Sequence, residues 1–157
     1  MLDFHSARGF FEISTPLLVN PSAVLGTGNL PKFKNDLYQT VTGKYLIPTS
    51  EVTLTNFFAG KIFQTGDLPI RLTQFSHCFR KEAGAAGQFN RGLMRLHEFN
   101  KVEIVKITHP EQSAVELKNM VFSVEQMLNQ LKIPYQIKLL AAKNLGFAAA
   151  KTFDLEV

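Results

Sequence analysis

Arginine, aromatic and carboxylate side chains alternate along residues 93–103 at the spacing of a β-strand. One face of that strand would carry Leu93, Arg95, His97, Phe99, Lys101 and Glu103. The opposite face carries Met94, Leu96, Val102 and Ile104 and can pack against a helix. Arg95 and Glu103 would lie about 26 Å apart, so one strand can address several parts of an extended ligand. Phe99 either stacks on a purine or packs beneath a neighbour on a solvated strand face.

A second polar cluster ends the preceding strand, where Arg80 and Glu82 share a face in the run FRKE. A guanidinium can hold a phosphate or a carboxylate through two parallel hydrogen bonds. A glutamate can accept a hydrogen bond from an exocyclic amine. The two charges therefore indicate ligand recognition, or else a surface ion pair contributing about 0 to 1 kcal/mol.

Thr49, Ser50 and Glu51 stand at the start of a predicted helix. A hydroxyl there caps the helix, and a glutamate in the first turn interacts favourably with the helix dipole. Alternatively, Thr49 and Glu51 face the polar side of the sheet, where a carboxylate can bind an ammonium group.

Other kinds of chemistry find little support. Cys78 is the single cysteine, so no internal disulfide can form, and we expect a cytoplasmic protein. The four histidines are scattered, and no zinc-like spacing or nucleophile and base pair is present. Residues 26–33 (GTGNLPKF) match neither the P-loop nor the dinucleotide fingerprint, which assigns them no phosphate role.

Composition predicts one globular domain. The chain has 157 residues, 45% of them hydrophobic and 19% charged, which is unlike a disordered chain. The net charge of +4 either favours phosphate-bearing partners or is solvated surface. No apolar run approaches the roughly 20 residues that span a bilayer, so we expect no membrane association.

Hydrophobic patterning predicts an α+β fold that would position these residues. We expect a helix ending before Gly9, an extended segment over 10–19 containing Pro16, a long loop over 20–36 and a strand at 45–47. A helix should follow from Pro48 to about Phe58. Strands over 70–79 and 93–107 should pair antiparallel, joined by a mobile glycine-rich loop over 82–92.

The C-terminal third predicts one long helix and two strands. Thr108 and Glu111 have the spacing of a capping box ahead of an apolar stripe that ends near Leu131. Pro134 should end this helix, and strands are expected over 135–140 and 151–157. The last strand has no terminator, which indicates that the sequence stops within an element.

Together, residues 79–87 (FRKEAGAAG) and 91–103 (RGLMRLHEFNKVE) closely resemble motif 2 of seryl-tRNA synthetases. Residues 48–56 (PTSEVTLTN) resemble the serine-recognition segment of that family, and 26–33 its G-T-G-x-L-P-K-F stretch. Residues 9–19 resemble the dimer-forming motif 1, and 151–157 a K-T-[YF]-D-[IL]-E-V strand. The resemblance covers essentially the whole chain in family order, with motif 2 extending over about 75–105.

This resemblance implies an incomplete class II aminoacyl-tRNA synthetase core, an antiparallel sheet flanked by helices. By it, the catalytic Arg80 would hold the ATP α-phosphate, and Arg95 the phosphate tail. Glu82 would recognise the adenine amino group, Phe99 would stack on the ring and Leu96 would line its pocket. The residues implied to bind the amine and hydroxyl of serine are Thr49, Glu51 and Glu103.

The resemblance also implies a reaction and partners. Serine and ATP would form seryl-adenylate, and the seryl group would pass to tRNA(Ser), in a homodimer formed around Pro16. Motif 3, the N-terminal tRNA-binding arm and the Mg²⁺ ligands would lie outside residues 1–157, so no metal ligand is expected in this chain. We therefore expect the isolated chain to have little or no aminoacylation activity.

Two departures and two alternatives complete the sequence-based interpretation. Residues 87–91 (GQFNR) lack the charged pair that the family usually has before the arginine, in the segment implied to contact the tRNA end, and Glu98 stands where glutamine is common. One alternative is a synthetase-like homologue that charges a carrier protein. The other is a non-catalytic truncated paralogue.

Overall fold

A computed structural model describes residues 1–83, 95–146 and 148–157. Its helices are α1 (Leu2–Ser6), α2 (Pro21–Gly26), α3 (Glu51–Asn56) and α4 (Ser113–Gln130). Its strands are β1 (Phe11–Glu12), β2 (Leu18–Val19), β3 (Tyr45–Leu46), β4 (Ile70–Phe79), β5 (Glu98–Ile107), β6 (Gln136–Leu139) and β7 (Phe153–Glu156). The chain forms two compact units, the first made of Leu2–Ile62 and Arg71–Val105, the second of Met1, Phe63–Ile70 and Lys106–Val157.

A three-stranded sheet with the order β1-β4-β5 supports the first unit. β1 runs parallel to β4, with Phe11 opposite Leu72. As β4 is followed back from Arg80 to Thr73, its hydrogen-bonded partners advance from His97 to Glu103, which is the progression of antiparallel strands. The strand at 70–79 and its antiparallel partner, both predicted from sequence, are therefore confirmed.

The apolar core of this unit lies where α2, β3 and α3 meet. Its buried residues are Val24, Leu37, Tyr45, Ile47 and Val52. β2 pairs antiparallel with β3, Leu18 opposite Leu46, and brings Leu17 and Val19 against the same cluster. Removing this apolar surface from water is the main force that holds α2 and α3 together.

Buried hydroxyl and amide groups connect α3 to the sheet. Ser50 Oγ lies 2.9 Å from Ser76 Oγ, and both residues are buried. Thr15 Oγ1 lies 2.7 Å from Gln74 Oε1 and 2.6 Å from Thr53 Oγ1. These buried polar atoms therefore have partners, which removes most of the cost of taking them out of water. Cys78 is fully buried, as expected for a core residue.

The second unit contains α4 and an antiparallel pair, β6 and β7, in which Gln136 lies opposite Glu156. Tyr135 donates a 3.0 Å hydrogen bond to Glu125 on α4. No helix in the described part of the chain is long and apolar enough to cross a membrane.

The structure corrects the long loop predicted over residues 20–36. Pro21–Gly26 is a helix, with Asn20 in an extended conformation just before it and Pro21 in its first turn. Proline is suited to that position because its fixed φ is helical and its missing N–H would be unpaired there. The Gly, Pro and Asn content of this segment favours a loop, but the burial of Val24 holds the helix against the core.

Three other predicted boundaries are wrong. β5 begins at Glu98, so Arg95 and Leu96 precede the strand and do not share its regular alternation. Thr108 does not cap α4: a 3₁₀ turn at Pro110–Gln112, preceded by His109, leads into the helix. α3 ends at Asn56, before the predicted Phe58. The predicted mobile loop over 82–92 lies mostly outside the described residues.

Truncating the core is expected to weaken the fold strongly. Ile47→Ala removes a fully buried side chain and should lower the free energy of unfolding by about 2 to 5 kcal/mol. Ile62→Ala makes the same chemical change at a residue that is 93% exposed, and should change stability by less than about 0.5 kcal/mol. Urea unfolding followed by circular dichroism measures both; equal losses would contradict this assignment of the core.

Candidate active site

Thr49 joins the start of α3 to β5. Its hydroxyl donates a 2.6 Å hydrogen bond to Glu103 Oε2 and accepts one of 3.2 Å from the backbone N–H of Glu51. The sequence left two interpretations of this segment open, a helix cap and a side chain on the polar side of the sheet. Thr49 fits both, because it accepts from a backbone N–H of the first turn and also contacts Glu103 on the sheet. Only 5% of Thr49 is exposed, so the geometry of this hydroxyl is well fixed.

Glu51 lies beside that pair and has a perturbed acidity. Although its side chain reaches solvent, the surrounding protein removes part of its hydration, which raises the pKa of the Glu51 carboxyl. The negative charge of Glu103 raises this pKa further, and the positive charge of Lys101 partly offsets both effects. Two carboxylates near one hydroxyl make a site suited to an ammonium group that also carries a hydroxyl.

Lys101 is a member of this cluster to which the sequence assigned no role. Its Nζ lies 2.6 Å from Glu103 Oε2 and 3.0 Å from Thr49 Oγ1. Lys101 and Glu103 are two residues apart on β5 and therefore project from the same face. The polar face predicted for this strand contained the signal, but alternation alone does not show which charged neighbours meet.

Arg80 connects this cluster to the rest of the site. Its Nε donates to the backbone carbonyl of Pro48 at 3.2 Å, and its guanidinium carbon lies 5.1 Å from the centre of the Phe99 ring. Its backbone N–H donates to the His97 carbonyl at 2.9 Å. The Arg80 carbonyl accepts from His97 Nδ1 at 3.2 Å, so this nitrogen carries the proton. Arg80 is held at both its backbone and its side chain.

Glu82 and Arg95 form an ion pair across a cavity that Arg80 also lines. Arg95 Nε lies 2.5 Å from Glu82 Oε2. The cavity has a volume of about 240 Å³, and its walls comprise Asn29, Phe33, Asp36, Leu37, Pro48, Arg80, Glu82 and Arg95. Guanidinium and carboxylate groups converge here on a space large enough for part of a nucleotide.

Asp36 fixes the turn that carries Glu82. Its carbonyl accepts from the backbone N–H of Lys81 at 2.8 Å, and its Oδ1 accepts from that of Ala83 at 2.9 Å. Glu82 between them has a φ of 52°, which is uncommon outside glycine. Neither Asp36 nor Asn29 nor Phe33 was predicted to line a site, because the wall they form depends on the path of the loop and not on a motif spacing.

The structure brings together most of the residues predicted from sequence. Thr49, Glu51 and Glu103 form one cluster, and Arg80, Glu82 and Arg95 line one cavity. Phe99 contacts Arg80 without lining that cavity. Leu96 does not line it either, and its side chain is 41% exposed. The departure at residues 87–91 lies outside the described residues.

Three of the four carboxylates described at this site are engaged in ways that do not suit a divalent cation. Glu103 is bound to Lys101 and Thr49, Glu82 to Arg95, and Asp36 to a backbone N–H. Across residues 1–83, 95–146 and 148–157, no three His, Cys, Asp or Glu side chains are grouped so as to hold a metal ion. The Mg²⁺ expected from the resemblance does not fit the donors described here, and its ligands stay a prediction outside this chain.

Comparison with known proteins places this geometry in a family. Residues 33–157 match the family described as tRNA synthetase class II core domain (G, H, P, S and T). The chain belongs to this family. This class II synthetase core is 52% identical over its whole length to a serine–tRNA ligase of Mesoplasma florum, and 53% identical to that of Mycoplasma mycoides subsp. mycoides. The predicted fold class and family are thereby confirmed.

Solved structures agree with this class II synthetase core. Seryl-tRNA synthetase from Pyrococcus horikoshii complexed with ATP superposes with a TM-score of 0.93 at 34% identity, over 98% of this chain and 35% of that one. A cytoplasmic serine-tRNA ligase from Naegleria fowleri in complex with AMP gives 0.91, also at 34% identity, over 98% and 34%. The chain covers 37% of the length of the two curated relatives.

The raised pKa of Glu51 predicts that this side chain, when ionised, makes the folded protein less stable. Ionising this carboxyl is less favourable in the folded class II synthetase core than in the unfolded chain, so its charge at pH 7 weakens the fold. Glu51→Gln should therefore raise the free energy of unfolding at pH 7. The gain should shrink as the pH falls towards 4.5, because the wild-type carboxyl then takes up its proton.

Chemical unfolding at a series of pH values measures this difference. Glu111→Gln, at an exposed residue outside this cluster, is the matched control and should show little change in stability. A Glu51→Gln variant that is less stable than wild type at pH 7 would contradict the prediction.

Proposed function

We propose that the protein containing this chain activates serine with ATP to form seryl-adenylate and then transfers the seryl group to tRNA(Ser). The position of Arg80 carries the proposal. Its side chain binds the carbonyl of Pro48, the residue before Thr49, while it also lines the cavity shared with Glu82 and Arg95. A guanidinium at the junction of a carboxylate cluster and a cavity large enough for part of a nucleotide is suited to a phosphate that reacts with an amino acid.

In the first step, a serine carboxylate oxygen would bond to the α-phosphorus of ATP as the bond to the pyrophosphate oxygen breaks. Negative charge increases around the α-phosphate, where Arg80 can stabilise it. Its hydrogen bonds to Pro48 and His97 hold Arg80 in place before the substrates arrive. The step needs alignment and charge stabilisation more than proton transfer, which agrees with the absence of a nucleophile and base pair among these site residues.

Thr49, Glu51 and Glu103 would recognise serine. The carboxylates can accept from its ammonium group, and the Thr49 and Glu103 oxygens lie close enough together to share one donor. A site that hydrogen-bonds a substrate hydroxyl discriminates strongly against analogues that lack it, because its own polar groups are then left unpaired. This arrangement supports serine over alanine as the substrate.

Glu82, Arg95 and Phe99 would bind ATP. The Glu82 carboxylate can accept from the adenine amino group, Phe99 can stack on the ring, and Arg95 can reach the phosphate tail. The ion pair between Glu82 and Arg95 would then open to admit the nucleotide. It is partly exposed, with Arg95 49% accessible, so opening should cost no more than about 1 kcal/mol. The proposed role of Leu96 in the adenine pocket stays a prediction.

Serine-dependent exchange of pyrophosphate into ATP by the full-length gene product tests the first step. Arg80→Ala should lower kcat/KM by about 100-fold or more, because it removes a preorganised charge at the reacting phosphate. Arg8→Ala is the matched control, since the Arg8 guanidinium stacks on Phe4 and bonds to its carbonyl on α1. Wild-type protein that folds and exchanges no pyrophosphate with serine would overturn the proposal.

Charging assays with tRNA(Ser) and with a carrier protein test the second step separately. If the seryl group were transferred only to the carrier protein, that protein would be the acceptor in place of tRNA(Ser), and the proposed activation step would be unaffected. We place the reaction in the cytoplasm, in agreement with the single buried Cys78.

We further propose a homodimer formed through residues 9–19, as the resemblance to motif 1 implies. β1 lies at the edge of its three-stranded sheet, and the Phe11 side chain is 70% exposed there. An exposed aromatic on an edge strand is a feature that subunit interfaces commonly cover.

The proposed homodimer can be tested by measuring the mass of the full-length protein in solution. The full-length protein should sediment as a dimer, and Phe11→Glu should weaken association by about tenfold or more, because a charge would then be buried at the interface. Sedimentation velocity over a concentration series gives the association constant. Ile62→Glu, at another highly exposed apolar residue, is the control. A wild-type monomer at all concentrations would refute the dimer.

A further inference from the structure

Lys101 contacts the same oxygen atoms that, under the proposed function, accept hydrogen bonds from the amine of serine. Its Nζ lies within 3.0 Å of both Thr49 Oγ1 and Glu103 Oε2, and Thr49 itself donates to the same carboxylate oxygen. The side chains of Lys101 and Glu103 are 34% and 17% exposed, so the pair is only partly screened by water. An ammonium group of the protein therefore already sits where a substrate ammonium is expected.

Among the described residues, the charges grouped around Thr49 do not balance without a ligand. Glu51 and Glu103 bring two carboxylates, and Lys101 brings one cation. Glu82 is paired with Arg95, whereas the partners of Arg80, the Pro48 carbonyl and the Phe99 ring, are neutral, so its charge stays available for the carboxylate or phosphate of a ligand. Among Glu51, Glu103 and Lys101, one negative charge is in excess, and the single ammonium group of a ligand would neutralise it.

We propose that Lys101 sets the charge of the amino-acid site formed by Thr49, Glu51 and Glu103, so that the site accepts a substrate with one ammonium group and rejects one with two. The inference rests on the proposed function and adds a specificity-determining residue to it. Without Lys101, the two carboxylates would favour a doubly charged ligand; with Lys101 present, a second ammonium meets like charge. Specificity for serine would then depend on a repulsive group as well as on the acceptors.

Lys101 also positions the carboxylates by contact. Its Nζ bridges Thr49 and Glu103, and its charge opposes the rise in the pKa of Glu51 caused by burial and by Glu103. The effect on the pKa of Glu51 is electrostatic, and a change of shape at Lys101 that kept its charge would not reproduce it. An acidity measurement can therefore separate an electrostatic role from a merely structural one.

The experiment compares serine with L-2,3-diaminopropionate, in which a second amine replaces the hydroxyl. Binding to the full-length protein is measured by calorimetry at pH 6, where most of that amine is protonated. Lys101→Met should raise the affinity for diaminopropionate relative to serine by about tenfold or more. Lys101→Arg, which keeps the charge, should retain the wild-type ratio. Lys101→Gln serves as a second neutral variant if the methionine variant does not fold.

An independent measurement needs no ligand. The carboxyl pKa of Glu51, followed by NMR, should rise further in Lys101→Met and stay near the wild-type value in Lys101→Arg, since Lys101 lowers this pKa in the wild type. An unchanged Glu51 pKa, or an unchanged preference between the two amino acids in both neutral variants, would overturn the inference.

The outcomes separate this inference from the proposed function. A wild type that binds neither amino acid defeats both. A wild type that binds serine, with neutral variants that keep its preference, defeats the role of Lys101 alone.

Discussion

The site depends on how residues 47–51 are held between β4 and β5. The Ile47 carbonyl accepts from the backbone N–H of Phe79 at 2.9 Å, and the Pro48 carbonyl from Arg80 Nε. Ser50 meets Ser76 in the buried layer, and Thr49 meets Glu103 on the open face. Successive residues of one short segment thus contact different strands. This segment places the cluster of Thr49, Glu51 and Glu103 relative to the cavity.

The same segment explains why so many polar groups are buried beneath the site. Ser50 and Thr73 are fully buried and Gln74 nearly so, positions that apolar residues usually occupy. Each hydrogen bond contributes only about 1 kcal/mol net, but leaving one partner unpaired would cost about 1 to 3 kcal/mol. Apolar packing at this layer would tolerate small shifts of α3, whereas paired hydroxyl groups permit few alternative positions. We infer that this layer fixes the register of α3 against the sheet.

The features that could be predicted from the sequence are those that depend on residues close together in the chain. The extended pattern over 70–79 predicted the bounds of β4. Residue type and resemblance also selected Thr49 and Glu103, which the structure brings into contact, although their roles stay predictions. The features that could not be predicted depend on tertiary contacts. α2 forms because Val24 reaches the core, which its Gly and Pro-rich surroundings concealed. The roles of Lys101 and Asp36 depend on contacts between segments far apart in the chain, and no spacing rule contains them.

The charge of the cluster of Thr49, Glu51 and Glu103 would connect stability to the proposed function. A carboxyl with a raised pKa is held in an environment that opposes its ionisation, and Glu51 stays in that environment because α3 is fixed on the sheet by other contacts. Bringing an ammonium group beside it reverses the sign of the local interaction, since the new charge stabilises both carboxylates. Under the proposed function, the free energy that the fold gives up to keep Glu51 ionised would be recovered when the ammonium group of serine binds. Such a site would be least stable when empty, so the electrostatic cost in the free protein would itself contribute to selectivity.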